Sequence, residues 1–191
     1  MISPFPFDDV DDPEQDAGTA FPDVREGVAA LLGETGKMAQ VFEAQGKAYE
    51  HRPQQLAMAR EIARCLKEGE HLMVEAGTGV GKSFAYLVPM LLAALEAGQK
   101  VVVSTYTISL QEQLLHHDVP RLSQCLGREV RAVLVKGRSN YLCRKRLAFA
   151  RKMGGDLFLQ EQRFWLDRLS ALADNGEWDG TLQSLPEPPP M

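Results

Sequence analysis

A short glycine-rich stretch constrains the fold of this chain more than any other feature. It covers residues 75–83 and reads Glu75-Ala76-Gly77-Thr78-Gly79-Val80-Gly81-Lys82-Ser83. An apolar run at 71–74 precedes it, and a helical pattern at 84–97 follows it. Strand, glycine-rich turn and helix in this order are the setting of a phosphate-binding P-loop. The stretch therefore predicts a nucleotide-binding domain rather than a chance turn with a Lys-Ser pair.

The residue types of this P-loop suit the phosphates of ATP. Glycines let the backbone bend and turn its N–H groups inward, and the following helix adds partial positive charge. We expect Lys82 to reach the β- and γ-phosphates and the Ser83 hydroxyl to hold Mg²⁺, so both are predicted catalytic residues. The predicted ATP contacts in the loop are Ala76, Gly77, Thr78, Gly79, Val80, Gly81, Lys82 and Ser83.

Three apolar runs alternate with helical patterns along the chain. Residues 71–74, 101–105 and 130–135 are typical of strands buried on both faces. Helical spacing predicts helices at 24–32, 53–67 and 84–97, a helix capped by Thr107 or Ser109, and two more at 144–152 and 157–173. We expect Gly69 and Gly98 to end two of these helices. The order predicts an α/β fold: a parallel sheet flanked by helices, with its ligand at the carboxyl ends of the strands.

Charge is distributed unevenly along the 191 residues, whose net charge is −5. Residues 1–26 contain eight acidic residues and one basic residue, whereas residues 121–152 contain ten basic residues and one acidic residue. A basic segment on an acidic chain indicates a local anionic partner, although a solvated helix face has the same composition. No run is apolar enough to span a membrane, and the acidic N-terminus does not resemble a secretory signal. We therefore expect a cytoplasmic protein without a membrane partner.

Several further segments, taken in order, resemble one protein family. Arg52-Pro53-Gln54-Gln55 precedes the P-loop, residues 105–114 follow the second predicted strand, and residues 136–143 (Lys-Gly-Arg-Ser-Asn-Tyr-Leu-Cys) follow the third. Together they resemble the DinG/XPD-type helicases of superfamily two, and DinG-like bacterial proteins in particular, over residues 38–150. Ala76, where the strict P-loop pattern has Gly, is familiar in helicases. The resemblance argues against an unrelated P-loop kinase or transporter ATPase.

The resemblance implies a RecA-like fold, a domain layout and roles for particular residues. It implies the first part of a RecA-like ATP-binding domain at 36–136 and the start of an iron–sulfur insertion at 137–191. Composition rich in Asp and Pro predicts that the acidic segment before them, residues 1–35, is a disordered tail. Gln55 is implied to read adenine, since an amide both donates and accepts; an ordinary helix residue is the alternative. Thr105, Thr107 and Gln113 are implied to contact the backbone of single-stranded DNA, where helix capping is the alternative.

Cys143 resembles the first of four cysteines that hold a 4Fe–4S cluster in this family. The only other cysteines, Cys65 and Cys125, are expected to be core or surface thiols, so the remaining ligands must come from outside this chain. A buried thiol is the alternative for Cys143. Arg144 and Lys145 are then implied to line the DNA path. They begin the basic cluster that follows Cys143, which consists of Arg144, Lys145, Arg146, Arg151 and Lys152.

The family's Asp-Glu-x-His segment, which supplies a second carboxylate for Mg²⁺ and water, has no counterpart in this sequence. The resemblance therefore implies the N-terminal portion of an ATP-dependent DNA helicase with 5′ to 3′ polarity, acting on single-stranded or forked DNA in repair or replication in the bacterial cytosol or nucleoid. We expect these 191 residues to bind nucleotide without hydrolysing it or unwinding DNA. A non-hydrolysing nucleotide- or DNA-binding module is the alternative.

Overall fold

The computed structural model describes residues 21–153, 160–176 and 178–185. The described residues divide into two compact units, one within residues 21–134 and the other within residues 135–185. The described part of the first unit contains α1 (Arg25–Leu32), α2 (Lys37–Ala44), α3 (Pro53–Glu68), α4 (Lys82–Ala97), α5 (Ile108–Gln113), a π-helical turn (Leu114–Asp118) and α6 (Val119–Leu126). The second contains a 3₁₀ turn (Arg138–Asn140), α7 (Arg144–Met153) and α8 (Gln160–Asn175). No helix in the described residues has the length and apolar character needed to cross a membrane.

The core of the first unit lies where α3 and α4 pack together. Ala59 and Ala63 of α3, and Ala85 and Ala93 of α4, are fully buried. Side chains this small let two helix backbones approach closely, and the larger buried residues of α1, α4 and α6 fill the space around them. These larger residues include Val28, Leu31, Leu32, Leu87, Val88 and Leu122. The packing holds α4, and with it the end of the P-loop, against α3.

Helix ends in the first unit follow the sequence pattern closely. Gly69 and Gly98 adopt left-handed backbone conformations, each with φ of 68°, and end α3 and α4 as predicted. The Thr107 hydroxyl caps α5 by accepting a hydrogen bond from the Leu110 N–H. Helix α4 continues through Pro89, which is buried inside it, so Pro89 does not shorten the helix.

The predicted parallel sheet is wrong for the residues that the structure describes. Residues 71–74, 101–105 and 130–135 are not β-strands, and the one β-bridge described, between Tyr141 and Thr181, is isolated and antiparallel. Met73, Val102 and Val133 are 98%, 85% and 88% exposed instead of buried. Apolar, β-branched composition favours an extended backbone, but a sheet also needs a neighbouring strand whose N–H and C=O groups complete the ladder. The fold described here is helical.

The segment predicted as an acidic tail contains a helix of the core. Helix α1 lies inside residues 1–35, and its Val28, Leu31 and Leu32 are buried with residues of α3 and α4. Residues 1–20 lie outside the described residues. This part of the predicted tail is therefore structural, because three apolar residues at helical spacing outweigh the acidic composition around them.

In the second unit, α7 and α8 pack side by side and exchange polar contacts. The Arg144 guanidinium donates to the Ala173 carbonyl at 2.9 Å and pairs with the Asp174 carboxylate at 3.3 Å. Arg151 donates to the Ser170 hydroxyl at 2.8 Å. Two residues of the basic cluster are thus engaged by α8, which lowers the charge that this cluster offers to an anionic partner.

Candidate nucleotide-binding site

The glycine-rich loop of the first unit leads directly into α4. Gly79 and Gly81 have φ of 83° and 82°, in the left-handed region that favours glycine. A Cβ added at Gly77 or Gly79 would meet nothing within 4 Å, so open space lies beside both. The loop therefore has the bent backbone and the free approach that a phosphate group requires.

Lys82, the first residue of α4, folds back over this loop. Its ammonium group donates to the Ala76 carbonyl at 2.9 Å and to the Gly77 carbonyl at 2.8 Å. The side chain is exposed, so an arriving anion can reach it. The loop thus holds a positive charge beside the N-terminus of a 16-residue helix, whose dipole also favours a negative ligand.

Gln55 of α3 holds the end of the loop by a hydrogen bond to its backbone. It is 5% exposed, and its amide nitrogen donates to the Gly81 carbonyl at 2.8 Å. A Cβ on Gly81 would lie 2.1 Å from this nitrogen, so the contact requires glycine. The structure therefore brings Gln55 to the P-loop, with its amide already used in part by the backbone of the loop.

Ser83, the predicted Mg²⁺ ligand, is the second residue of α4 and is half-buried. Tyr86 lies three residues further along and is therefore its neighbour on the helix surface. Burial raises the pKa of Tyr86, the Ser83 hydroxyl lowers it, and the charge of Asp118 raises it further. Ser83 thus lies at the start of α4, beside Tyr86.

The predicted DNA contacts of the first unit lie in the turn before α5 and at its end. The Thr105 hydroxyl donates to the Thr107 carbonyl at 3.1 Å, while the Thr107 hydroxyl accepts from the Leu110 N–H at 3.3 Å. Gln113 is exposed, and its amide nitrogen donates to the Asp118 carboxylate at 3.5 Å. Each of the three predicted contacts is therefore fixed by a hydrogen bond within the protein.

Comparison with known families identifies the class of protein to which this loop belongs. A model of the DEAD/DEAH box helicase family matches residues 52–183, more than half of the chain. The chain belongs to the DEAD/DEAH box helicase family. The matched range begins at Arg52, three residues before Gln55, and includes the P-loop.

Within this family, the chain is similar to DinG-like proteins. It is 44% identical to the ATP-dependent DNA helicase YoaA of Escherichia coli over 112 residues, which are 59% of this chain and 17% of that protein. It is 50% identical to the ATP-dependent helicase DinG of Mycobacterium tuberculosis over 93 residues, 47% of this chain and 14% of that protein. The protein named 3′-5′ exonuclease DinG in Bacillus subtilis is 40% identical over 95 residues, 50% of this chain and 10% of that protein. The resemblance to DinG-like helicases is confirmed, and the matched stretches span less than a fifth of each relative.

The second unit of the chain contains Cys143, the predicted cluster ligand. Cys143 is exposed immediately before α7, whereas Cys65 and Cys125 are buried in the first unit. The described residues contain no group of three or more His, Cys, Asp or Glu arranged to hold a metal ion. One exposed thiol can supply one of the four ligands that a 4Fe–4S cluster needs, so the other three would have to come from outside the described residues. Lys145 is exposed, and Arg144 is engaged by α8 as described above.

Two residues near the site have no role in the sequence-based prediction. The Arg52 guanidinium lies 3.5 Å from the position that a Cβ on Gly81 would take, and it pairs with Glu50 at 2.6 Å. Asp118 is buried and accepts a hydrogen bond from the Gln113 amide at 3.5 Å. A signal for Asp118 is present in the sequence, because it follows Leu114 by four residues and precedes Leu122 by four, which places a carboxylate on an apolar stripe.

Proposed function

We propose that this chain binds ATP with Mg²⁺ at the glycine-rich loop and forms the nucleotide-binding part of a DinG-like ATP-dependent DNA helicase. The observation that carries the proposal is the position of Lys82, whose ammonium group is held over the loop by two backbone carbonyls. Phosphate oxygens are charged acceptors and bind an ammonium group more strongly than neutral carbonyls do. Lys82 therefore exchanges the Ala76 and Gly77 carbonyls for phosphate oxygens when nucleotide enters.

The other loop residues take complementary parts in this proposal. The backbone N–H groups of residues 76–81 cradle the phosphates, and the Ser83 hydroxyl is a ligand for the Mg²⁺ that accompanies ATP. Gln55 keeps one amide hydrogen and its carbonyl oxygen for the edge of the adenine base while it supports Gly81. The bound cation supplies charge neutralisation at the phosphates.

Single-stranded or forked DNA is the proposed second ligand, with 5′ to 3′ unwinding by the complete helicase at the nucleoid. Thr105, Thr107 and Gln113 of the first unit, and Arg144 and Lys145 of the second, are the proposed contacts. Hydroxyl, amide and guanidinium groups suit the phosphates of the backbone. Cys143 is the proposed ligand of a 4Fe–4S cluster whose other ligands come from elsewhere.

We also propose that the 191 residues bind nucleotide without turning it over. The observation in favour is that the sequence has no Asp-Glu-x-His segment to position Mg²⁺ and water. Phosphoryl transfer depends on such positioning, and losing one electrostatic group costs ~2.7–4 kcal/mol of transition-state stabilisation. Phosphate release from ATP should therefore stay at background in an assay where binding is measurable.

Lys82→Ala tests the phosphate-binding role of the loop. A hydrogen bond to a charged group contributes ~1.5–3 kcal/mol, so the variant should bind a fluorescent ATP analogue roughly 10–150-fold more weakly. Lys100→Ala is the matched control, since it removes the same charge from an exposed residue just beyond the far end of α4. That end of the helix is ~22 Å from Lys82 along the helix axis. Equal affinity of the parent and Lys82→Ala would refute the assignment.

A further inference from the structure

Helix α7 divides its positive charges between two faces. Five of its ten residues are basic and none is acidic. Toward α8, the Arg144 guanidinium pairs with the Asp174 carboxylate at 3.3 Å. On the same side, Arg151 pairs with the Asp167 carboxylate at 3.6 Å. The other three cations are exposed, and their side chains form no hydrogen bond or ion pair within the part of the chain that the structure describes. They are Lys145, Arg146 and Lys152.

An exposed aromatic ring lies at the centre of these three cations. Phe149 is 64% exposed. Residues three or four positions apart are neighbours on a helix surface, so two cations lie one turn before Phe149 and one lies one turn after it. Leu147, on the opposite side of α7, is buried. We call the exposed side the outer face of α7; it consists of Lys145, Arg146, Phe149, Lys152 and Met153.

The chemistry of the outer face suits a single strand of nucleic acid. Each base of such a strand has a π-face that can stack on an aromatic ring, and a phosphate lies on either side of the base. Folding alone does not account for the position of Phe149, because burying this ring would contribute favourable free energy. A membrane-binding helix has a continuous apolar face, whereas the two apolar residues of the outer face, Phe149 and Met153, lie among three cations.

We propose that Phe149 stacks against a base of single-stranded DNA while the three cations of the outer face bind the phosphates on either side of that base. The inference rests on the function proposed above, in which single-stranded DNA is the second ligand. Charge complementarity supports it, because the carboxylates of α8 neutralise the inward arginines and leave the outer cations for an anion. Stacking tolerates any base, so the contact suits a strand of any sequence.

The test compares two fluorescent strands of equal length and charge. One is oligo-dT, and the other has abasic sites in place of every base. Dissociation constants are measured with the 191-residue chain. We expect Phe149→Ala to weaken the binding of oligo-dT roughly 5–150-fold, as the loss of one stacked base does. The abasic strand should bind the parent and Phe149→Ala with equal affinity, because it offers phosphates and no base.

Further variants separate stacking from apolar contact and from charge. Phe149→Tyr keeps an aromatic ring and should bind oligo-dT as the parent does, whereas Phe149→Leu keeps an apolar side chain without a π-face and should bind as weakly as Phe149→Ala. Phe164→Ala is the matched control, because it removes an exposed phenylalanine from α8 and should leave both affinities unchanged. Lys152→Ala should weaken both strands and reduce the slope of log affinity against log salt concentration by ~0.7, the value for one phosphate.

The outcomes distinguish this inference from the function on which it rests. Oligo-dT binding that Phe149→Ala leaves unchanged, or weakens no more than it weakens binding of the abasic strand, overturns the stacking role alone. Anionic phosphatidylserine vesicles are measured beside the strands. If Phe149→Ala loses vesicle binding and keeps oligo-dT binding, the outer face meets a membrane and the inference is wrong. A parent that binds neither strand overturns the proposed DNA contact as well.

Discussion

Gly81→Ala tests whether Gln55 holds the P-loop by direct contact. The new Cβ would lie 2.1 Å from the Gln55 amide nitrogen and 3.1 Å from the amide carbon, both inside contact distance. Gln55 is buried and has little room to move away. Its hydrogen bond to the Gly81 carbonyl must therefore break, and the substituted residue must also keep a φ near 82°.

Gly79→Ala separates these two effects. Gly79 has nearly the same φ, 83°, but a Cβ there would meet nothing within 4 Å. Left-handed backbone costs ~1–2 kcal/mol for a residue with a Cβ, so Gly79→Ala should lower the free energy of unfolding by about that amount. Gly81→Ala should lower it by roughly 1–3 kcal/mol more, because a buried amide loses its partner.

A Gln55→Ala background completes the experiment. Without the Gln55 amide, Gly81→Ala carries only the backbone strain, and its effect on the free energy of unfolding should equal that of Gly79→Ala. The assay is urea unfolding of the parent, the three single variants, and the two double variants that combine Gln55→Ala with each glycine substitution. Free energies of unfolding are compared at a common slope. Equal effects of the two glycine substitutions in the parent, or a difference that persists without Gln55, would refute the contact.

Three further predictions concern single groups. Burial raises the pKa of Asp118 above its ordinary value of 3.8, and the weaker effects of Gln113 and of charged neighbours lower it. The native state therefore holds this proton more tightly than the unfolded state, so the free energy of unfolding of the parent should fall relative to that of Asp118→Asn as pH rises from below 3.8 to neutral. Parallel curves of unfolding free energy against pH would contradict the burial. Cys143 is the one exposed cysteine, so a thiol reagent should modify one thiol rapidly in the native chain and none in Cys143→Ser; three fast thiols would contradict the core. Because Asp174 and the Ala173 carbonyl engage Arg144, Lys145→Ala should weaken oligo-dT binding more than Arg144→Ala in an anisotropy titration, and the reverse order would show that the Arg144 contacts open on binding.

Helices were predictable from this sequence because their determinants are local. Side chains repeat at helical spacing within α3 and α4, and Gly69 and Gly98 provide the left-handed conformation that ends each helix. The cap at Thr107 depends on an N–H only three residues away. Each of these signals lies within one or two turns of the residue that it determines, so a pattern of residue types is sufficient.

The parallel sheet was not predictable in the same way because a strand is defined by its neighbour. Residues 101–105 have the composition of a buried strand, yet Val102 is 85% exposed and the described chain supplies no ladder for it. The apolar runs at 71–74 and 130–135 also have the composition of strands without forming β-strands in the described chain. Composition can state that a segment is suited to a sheet, but hydrogen-bonded pairing between distant segments is required to form one.

The candidate site shows the same division between local and distant information. The loop could be recognised because its glycines, Lys82 and Ser83 are contiguous and carry the phosphate chemistry together. The support of Gly81 by Gln55 joins residues 26 positions apart. Asp118 is buried at the end of a π-helical turn, which residue types alone do not specify. Sequence therefore identifies the groups proposed to meet the nucleotide, while the structure identifies the contact between Gln55 and Gly81 that holds the loop.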